Sequence, residues 1–242
     1  MNIDVYSDFV CPFCYIGKKR LEEALDQTSL KDSTEVTFKS FELDPNSPRG
    51  IDLSIHEVIA KKYSISIEQA KKSNEGIGKQ AASVGLDFRF DDMIPTNTFD
   101  AHRLEKYSST KGKEKECTER LLKAYFTEGR HIGDHETLLD IAEQVGLDPK
   151  EAKAVLEHGD YQEDVRKDES LAHQIGVQGV PFFVINNKYA ISGAQPTEVF
   201  IEALNKVAAE EKETTTLKPL TSENADGMVC DDNGCEIPQY KK

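Results

Sequence analysis

No apolar run in these 242 residues approaches the roughly 18 that a transmembrane helix requires. Positive charge is scarce as well: 30 Lys and Arg stand against 44 Asp and Glu, a formal net charge of −14. Nucleic acid needs a basic surface and anionic lipid repels an acidic one, so neither nucleic acid nor membrane is expected as a partner. Ahead of the first strand-like segment, Met1-Asn2 leaves no room for a basic n-region, an apolar core or a cleavage site, and the expected location is cytoplasmic. Cysteine is sparse too. Five unevenly spaced residues do not make a secreted disulfide framework. No internal repeat is visible.

What remains is a soluble globular composition, 38% hydrophobic and 31% charged, long enough for one large domain or two small ones. Its most informative feature lies at the start. Ile3-Asp4-Val5-Tyr6 alternates like a strand and runs through Ser7-Asp8-Phe9-Val10 into Cys11-Pro12-Phe13-Cys14, where a helix-forming stretch begins. A thiol at a helix start meets unpaired amide N–H groups and the positive end of the helix dipole, both of which favour an anion. Thiolates attack disulfides, so Cys11 reads as a nucleophile with Cys14 close enough to resolve the product. In a reducing compartment such a Cys-x-x-Cys is catalytic or metal-binding rather than structural. Pro12 and Phe13 occupy the two positions between the thiols, so no histidine stabilises the anion there and the helix terminus must do it.

The first 43 or so residues read β-α-β, with strands at about 2–6 and 35–43 and a helix at about 11–26. Asp44-Pro45-Asn46-Ser47-Pro48 then breaks the pattern. From about Ser54 to Ile175 the spacing turns helical, and six or seven helices are expected. Leu138, Ile141, Ala142 and Val145 mark one face of a helix that Asp134 caps and Gly146 stops. Asp148-Pro149-Lys150-Glu151 opens the next with a cap, a first-turn proline and a capping-box glutamate. After Gly176, Phe182 to Ile185 and Lys188 to Ile191 read as strands about a two-residue Asn186-Asn187 turn, and Pro196 starts a last helix. Past about Glu210 the composition becomes polar and regular structure is expected to end. The plan is an α/β fold, β-α-β … β-β-α, with 1–47 and 176–210 as its halves, 48–175 as a helical insertion and 211–242 as a polar tail.

Gly179-Val180-Pro181 precedes the third strand. X–Pro bonds are the ones that readily become cis, and a proline at a strand mouth suits a tight bend or an ordinary turn. Beside a dithiol, the Val180 backbone would be free to pair with an extended substrate. Asp8 reads as a turn residue, a cap of the helix or a proton acceptor, and Cys117 as a lone unreactive thiol.

These residues carry a resemblance. SDFVCPFCYIGK (7–18), NTFDAHRL (97–104), FTEGRHIGD (126–134), GVQGVPFFVIN (176–186) and SGAQP (192–196) are similar to a DsbA-family thioredoxin-fold oxidoreductase, most like its cytosolic FrnE branch. The resemblance implies a thioredoxin fold, Cys11 as attacking thiol, Cys14 as resolving thiol and Pro181 as a cis proline. It also puts Asn97, His102 and Arg130 on the surface of the insertion that faces the site, with an acidic residue expected where His131 stands. Pro12, Phe13 and Val180 complete the expected substrate-contacting set. The implied activity is protein disulfide oxidoreductase or isomerase chemistry with no cofactor beyond the redox-active disulfide. Partners would be disulfide- or dithiol-containing proteins or peptides, with glutathione or a thioredoxin-type reductant as co-substrate.

Cys230 and Cys235 form a second pair on the polar tail. About 20 intervening residues span roughly 25 Å as a flexible chain, enough to reach the first pair. Asp231 and Asp232 would raise the pKa of these thiols, so electrons would run from the tail dithiol to the active-site disulfide. Both pairs together could instead hold zinc, making a redox- or zinc-sensing binding protein. A further alternative is a glutathione-dependent transferase or isomerase of the kappa-class or hydroxychromene-carboxylate type, which resembles this plan but typically has serine at the first active-site position.

Overall fold

The computed structural model describes residues 1–215 and the backbone of two short strands at 230–231 and 234–235, with side chains described as far as residue 211. Chain order begins with β1 (Asn2–Ser7), α1 (Pro12–Thr28) and β2 (Glu35–Ser40). Seven helices follow: α2 (Ile55–Tyr63), α3 (Ile67–Ala82), α4 (Phe99–Thr110), α5 (Glu114–Phe126), α6 (His135–Gln144), α7 (Pro149–His158) and α8 (Gln162–Gln174). The chain then returns as β3 (Phe182–Ile185), β4 (Tyr189–Ser192) and α9 (Thr197–Thr215). The mixed sheet has the order β2-β1-β3-β4; β1 pairs parallel to β2, and β3 antiparallel to both β1 and β4. This is the thioredoxin plan with its helical insertion. Residues 1–205 form one compact unit and 206–242 a second.

Local chemistry sets the helix boundaries. Ser54 and Ser66 each close a capping box, with Glu57 and Gln69, at the starts of α2 and α3. Asp134 accepts from the Thr137 amide, and Asp148 from the amides of Lys150 and Glu151. Glu151, however, closes no box, because its carboxylate is taken by the Tyr107 hydroxyl and the Lys111 ammonium. Arg103, 2% exposed, donates to Asp100 and to the Leu156 and Asp160 carbonyls, satisfying the C-terminal end of α7.

Three boundaries differ from the sequence reading. β2 stops at Ser40, since the Phe41 amide turns to the Ser7 carbonyl. Asn186 and Asn187 do take positive φ, 51° and 53°, but pairing resumes at Tyr189, so the hairpin connection has three residues. α9 persists to Thr215, past the expected stop at Glu210.

The larger core cluster joins α1 to the insertion: Phe9, Tyr15 and Ile16 pack with Leu104, Leu121, Leu122, Tyr125 and Phe126. Tyr15 and Lys18 of α1 also bond Glu119 of α5. Burial pushes the Glu119 carboxyl up, but the Lys18 charge and the bonds from Lys18, Tyr15 and Lys19 outweigh it and hold it down to about 2. A second cluster, Tyr6, Phe41, Ala172 and Val177, seats Val180 and Phe182 against α8. The active-site helix is therefore fixed by apolar contacts from the insertion as well as from the sheet. Among the described residues no helix is long and apolar enough to cross a membrane.

Candidate active site

α1 begins at Pro12, whose missing N–H costs nothing at the first helical position. Cys11 is the N-cap residue, at φ −90° and ψ 110°, and no side chain caps the helix. The first turn carries no acidic residue, so none of its own carboxylates competes with sulfur for the positive end of the dipole. The Cys11 amide donates to the Asp8 carbonyl at 3.1 Å, and the Cys14 amide to the Cys11 carbonyl at 3.0 Å. Both cysteines are free thiols, 4% and 2% exposed, within hydrogen-bonding reach of each other.

Their surroundings differ. Cys11 Sγ faces the Val180 carbonyl at 3.5 Å. Cys14 lies inward, and burial, followed by the bond to Cys11 and its charge, pushes the Cys14 thiol well above the ordinary range; the Asp8 amide and the Ser7 hydroxyl pull the other way. The Val180–Pro181 peptide is cis. The Gly193 amide donates to the Pro181 carbonyl at 2.8 Å, and Arg20 of α1 to the Ala194 carbonyl at 2.6 Å. Helix, proline loop and the turn after β4 are thus tied into one frame. Pro12 is half-buried, and Phe13 presents 37% of its surface beside the thiols.

Of the three residues named for the insertion, His102 packs against the loop that leads into α1, whereas Asn97 bonds the segment after β2. His102 is buried against Phe9, ring centroids 4.7 Å apart, with Nε2 3.5 Å from Asp8 Oδ1. Asn97 Nδ2 donates to Glu42 and to the Pro45 carbonyl, and its side-chain Oδ1 accepts the Phe99 amide. Arg130 instead pairs with Asp140 of α6 at 2.7 Å, and among the described residues no hydrogen bond or ion pair links it to the thiols. Asp8 does not cap α1; its carboxylate accepts the Leu43 amide at 2.7 Å. His131 Nε2 donates to the Arg49 carbonyl at 2.7 Å, a bond no carboxylate could make. Cys117 is fully buried, its thiol pushed up to about 12 chiefly by that burial. Cys230 and Cys235 are backbone partners in a two-strand ladder of β5 (Cys230–Asp231) and β6 (Gly234–Cys235); their side chains lie outside the described residues.

The sequence reading missed Gly17. A Cβ built there would lie 3.1 Å from Pro181 Cγ and 3.1 Å from Phe183 Cζ, so any side chain larger than hydrogen crowds the contact of α1 with the proline loop. A glycine inside a helical pattern costs about 1 kcal/mol against alanine, and that cost was the available signal. Ser7 and Leu43 were missed as well, since nothing local marks a residue as a neighbour of the Cys14 sulfur or of the Asp8 carboxylate.

Comparison with known proteins bears on the whole of this frame. The model of the DSBA-like thioredoxin domain matches residues 2–205. The uncharacterized protein YwbO of Bacillus subtilis is 31% identical over 209 residues, 85% of this chain and 96% of its own. A probable DsbA oxidoreductase of Streptomyces coelicolor superposes with a TM-score of 0.83 at 37% identity, covering 98% of this chain and 99% of that one. A 2-hydroxychromene-2-carboxylate isomerase superposes with a TM-score of 0.64 at 16% identity, over 89% of this chain and 100% of its own, a likeness of fold alone. Because one family model takes in the sheet, both active-site cysteines and the helical segment between the halves, the chain belongs to the DSBA-like thioredoxin domain family.

Proposed function

We propose that this protein is a thiol–disulfide oxidoreductase acting on disulfide- or dithiol-containing proteins or peptides. The observation that carries the reading is the pair of free thiols, Cys11 at the N-cap of α1 and Cys14 buried behind it. Cys11 thiolate attacks a substrate disulfide; one S–S bond forms as another breaks, and the first substrate thiolate leaves. Cys14 then gives up its proton and attacks Cys11 Sγ, forming the Cys11–Cys14 disulfide and releasing the second thiolate. Two electrons pass to the substrate, and glutathione or a thioredoxin-type dithiol returns them. Run backwards, the same steps oxidise substrate dithiols.

The unequal burial of the thiols supports this order. While Cys11 is an anion its charge helps hold the proton on Cys14; once Cys11 is tied up in a mixed disulfide that charge is gone. Pro181 removes an N–H beside the sulfurs, and Val180, Phe13 and Pro12 present backbone and apolar surface to an extended peptide. A transferase that activates glutathione's own thiol has no use for Cys14. Cys230 and Cys235, opposite one another in backbone register, would serve as a relay pair.

The test is Cys14→Ala. It is expected to accumulate mixed disulfides through Cys11 and to lose insulin-disulfide reduction by a factor of at least about 100, because resolution becomes intermolecular. Full turnover by this variant would overturn the dithiol mechanism. For the relay, Cys230→Ser/Cys235→Ser should reoxidise and turn over more slowly than the wild type, and equal rates would remove it.

A further inference from the structure

Two buried groups that the mechanism above does not use lie beside the approach to the dithiol: Asp8, three residues before Cys11, and His102 against it. Asp8 and His102 are 1% and 2% exposed. Asp8 Oδ1 and His102 Nε2 face each other at 3.5 Å, and neither atom has a hydrogen-bond partner among the described residues. Two opposed lone pairs here would be repulsive and unsatisfied, so the arrangement requires a proton between them, which an ionised Asp8 leaves on Nε2. The remaining ring nitrogen is then the basic one. Asp8 also reaches both thiols through its backbone: its carbonyl accepts the Cys11 amide, and its own amide lies against Cys14 sulfur.

The charge balance of this pocket changes with the redox state. With the disulfide closed and His102 neutral, the buried charge is the Asp8 carboxylate alone. Reduction adds a Cys11 thiolate one turn of chain away, and two negative charges in a poorly solvated interior repel strongly. Protonation of His102 cancels one of them. The other groups around the imidazole are of both signs, and burial raises the carboxyls of Glu42, Glu105 and Glu114. Glu42, from the segment after β2, bears on it and is itself paired with Arg166 of α8. Glu105 lies on its own helix, beside Lys106, with Glu114 of α5 and Asp168 of α8 beyond it. The Tyr125 phenol of α5 faces Asp8.

We propose that Asp8 and His102 form the proton store of the dithiol, His102 taking up a proton as the Cys11–Cys14 disulfide is reduced and releasing it as the disulfide reforms. The inference rests on the thiol–disulfide reading above. Two electrons from a donor dithiol open the disulfide; one accompanying proton goes to Cys14 sulfur and the second to the His102 imidazole. The reduced site is then a Cys11 thiolate, a Cys14 thiol and an imidazolium facing the Asp8 carboxylate. Neither residue touches substrate, so both act through the sulfurs.

The first arm of the test needs no variant. The His102 ring signals of the full-length wild type, followed by NMR against pH, should titrate with a midpoint about one pH unit higher in the reduced than in the oxidised protein. A tenfold change in proton affinity is the scale expected from one unit charge about 12 Å away at an effective dielectric near 20, and a nearer charge gives more. Coincident curves, or no titration in either state, would overturn the proposal. In the second arm the Cys11–Cys14 couple is equilibrated with glutathione across the same pH range. The equilibrium constant of the wild type should change by up to one further factor of ten per pH unit than that of His102→Gln, the signature of one extra proton. Equal slopes would also overturn it. Normal exchange with redox-independent His102 signals removes the proton store alone; no exchange with glutathione removes the thiol–disulfide reading and the proton store with it.

Discussion

Gly17 sits three residues beyond Cys14, and the space where its side chain would be is filled by Pro181 and Phe183. Alanine there would push each neighbour by a few tenths of an ångström, and valine by more. Gly17→Val should slow insulin reduction by roughly tenfold and cost about 1–3 kcal/mol of stability, typical of an overpacked contact. Retained helical circular dichroism together with a lowered rate would tie the effect to the proline loop; an unchanged rate would show that the loop's position tolerates the shift. At the same scale, buried Cys117 should stay unmodified by iodoacetamide at pH 8 in the folded protein, as mass spectrometry can check. Neither effect follows from spacing. The Cys-x-x-Cys and Gly-Val-Pro motifs were legible because their chemistry is local, whereas the partners of Gly17 and Asp8 come from segments far away in sequence.

β2 is an edge strand, and the insertion closes that edge. On its outward side Lys106 of α4 donates to the Phe38 carbonyl, Asp168 of α8 accepts the Ser40 amide and Glu169 the Glu42 amide. These alternate positions are the groups an open edge would offer to another chain. Asp168→Ala would strand the Ser40 amide and take one of its carboxylate partners from Lys106, and should cost about 1–3 kcal/mol in chemical denaturation. A loss below about 0.5 kcal/mol would mean that water replaces the carboxylate. Beside this edge, burial and the nearby Glu105 charge push the Glu114 carboxyl up from 4.5 to about 7. Between those values the folded chain binds more protons at Glu114 than the unfolded one, so its contribution falls as pH rises through the window. Glu114→Gln should flatten that dependence and add about 1 kcal/mol above pH 7 after allowance for solvent screening. Thermal melts at pH 5 and pH 8 check it.

Over the whole molecule the formal charge of −14 acts on every substrate encounter. Oxidised glutathione is itself anionic at neutral pH, so its reaction with the reduced protein should speed up several-fold as salt is raised from about 0.02 to 0.5 M, where screening shortens to a few ångströms. A cationic disulfide peptide should show the reverse trend in the same stopped-flow measurement. Identical salt dependence for both would mean that local dipoles, not the overall field, govern approach.

By itself the sequence determined the element order, the N-caps of α6 and α7 and the two-part sheet, because alternation, 3.6-residue spacing and capping residues act within a few positions of themselves. It also determined which sulfur stands at the helix mouth. Tertiary structure alone decided that β2 ends at Ser40, that Arg130 pairs with Asp140, and that His102 is buried against Asp8. Those outcomes depend on which side chains from distant helices fill the space around a strand edge or a buried carboxylate, a competition among packing arrangements that no local pattern encodes.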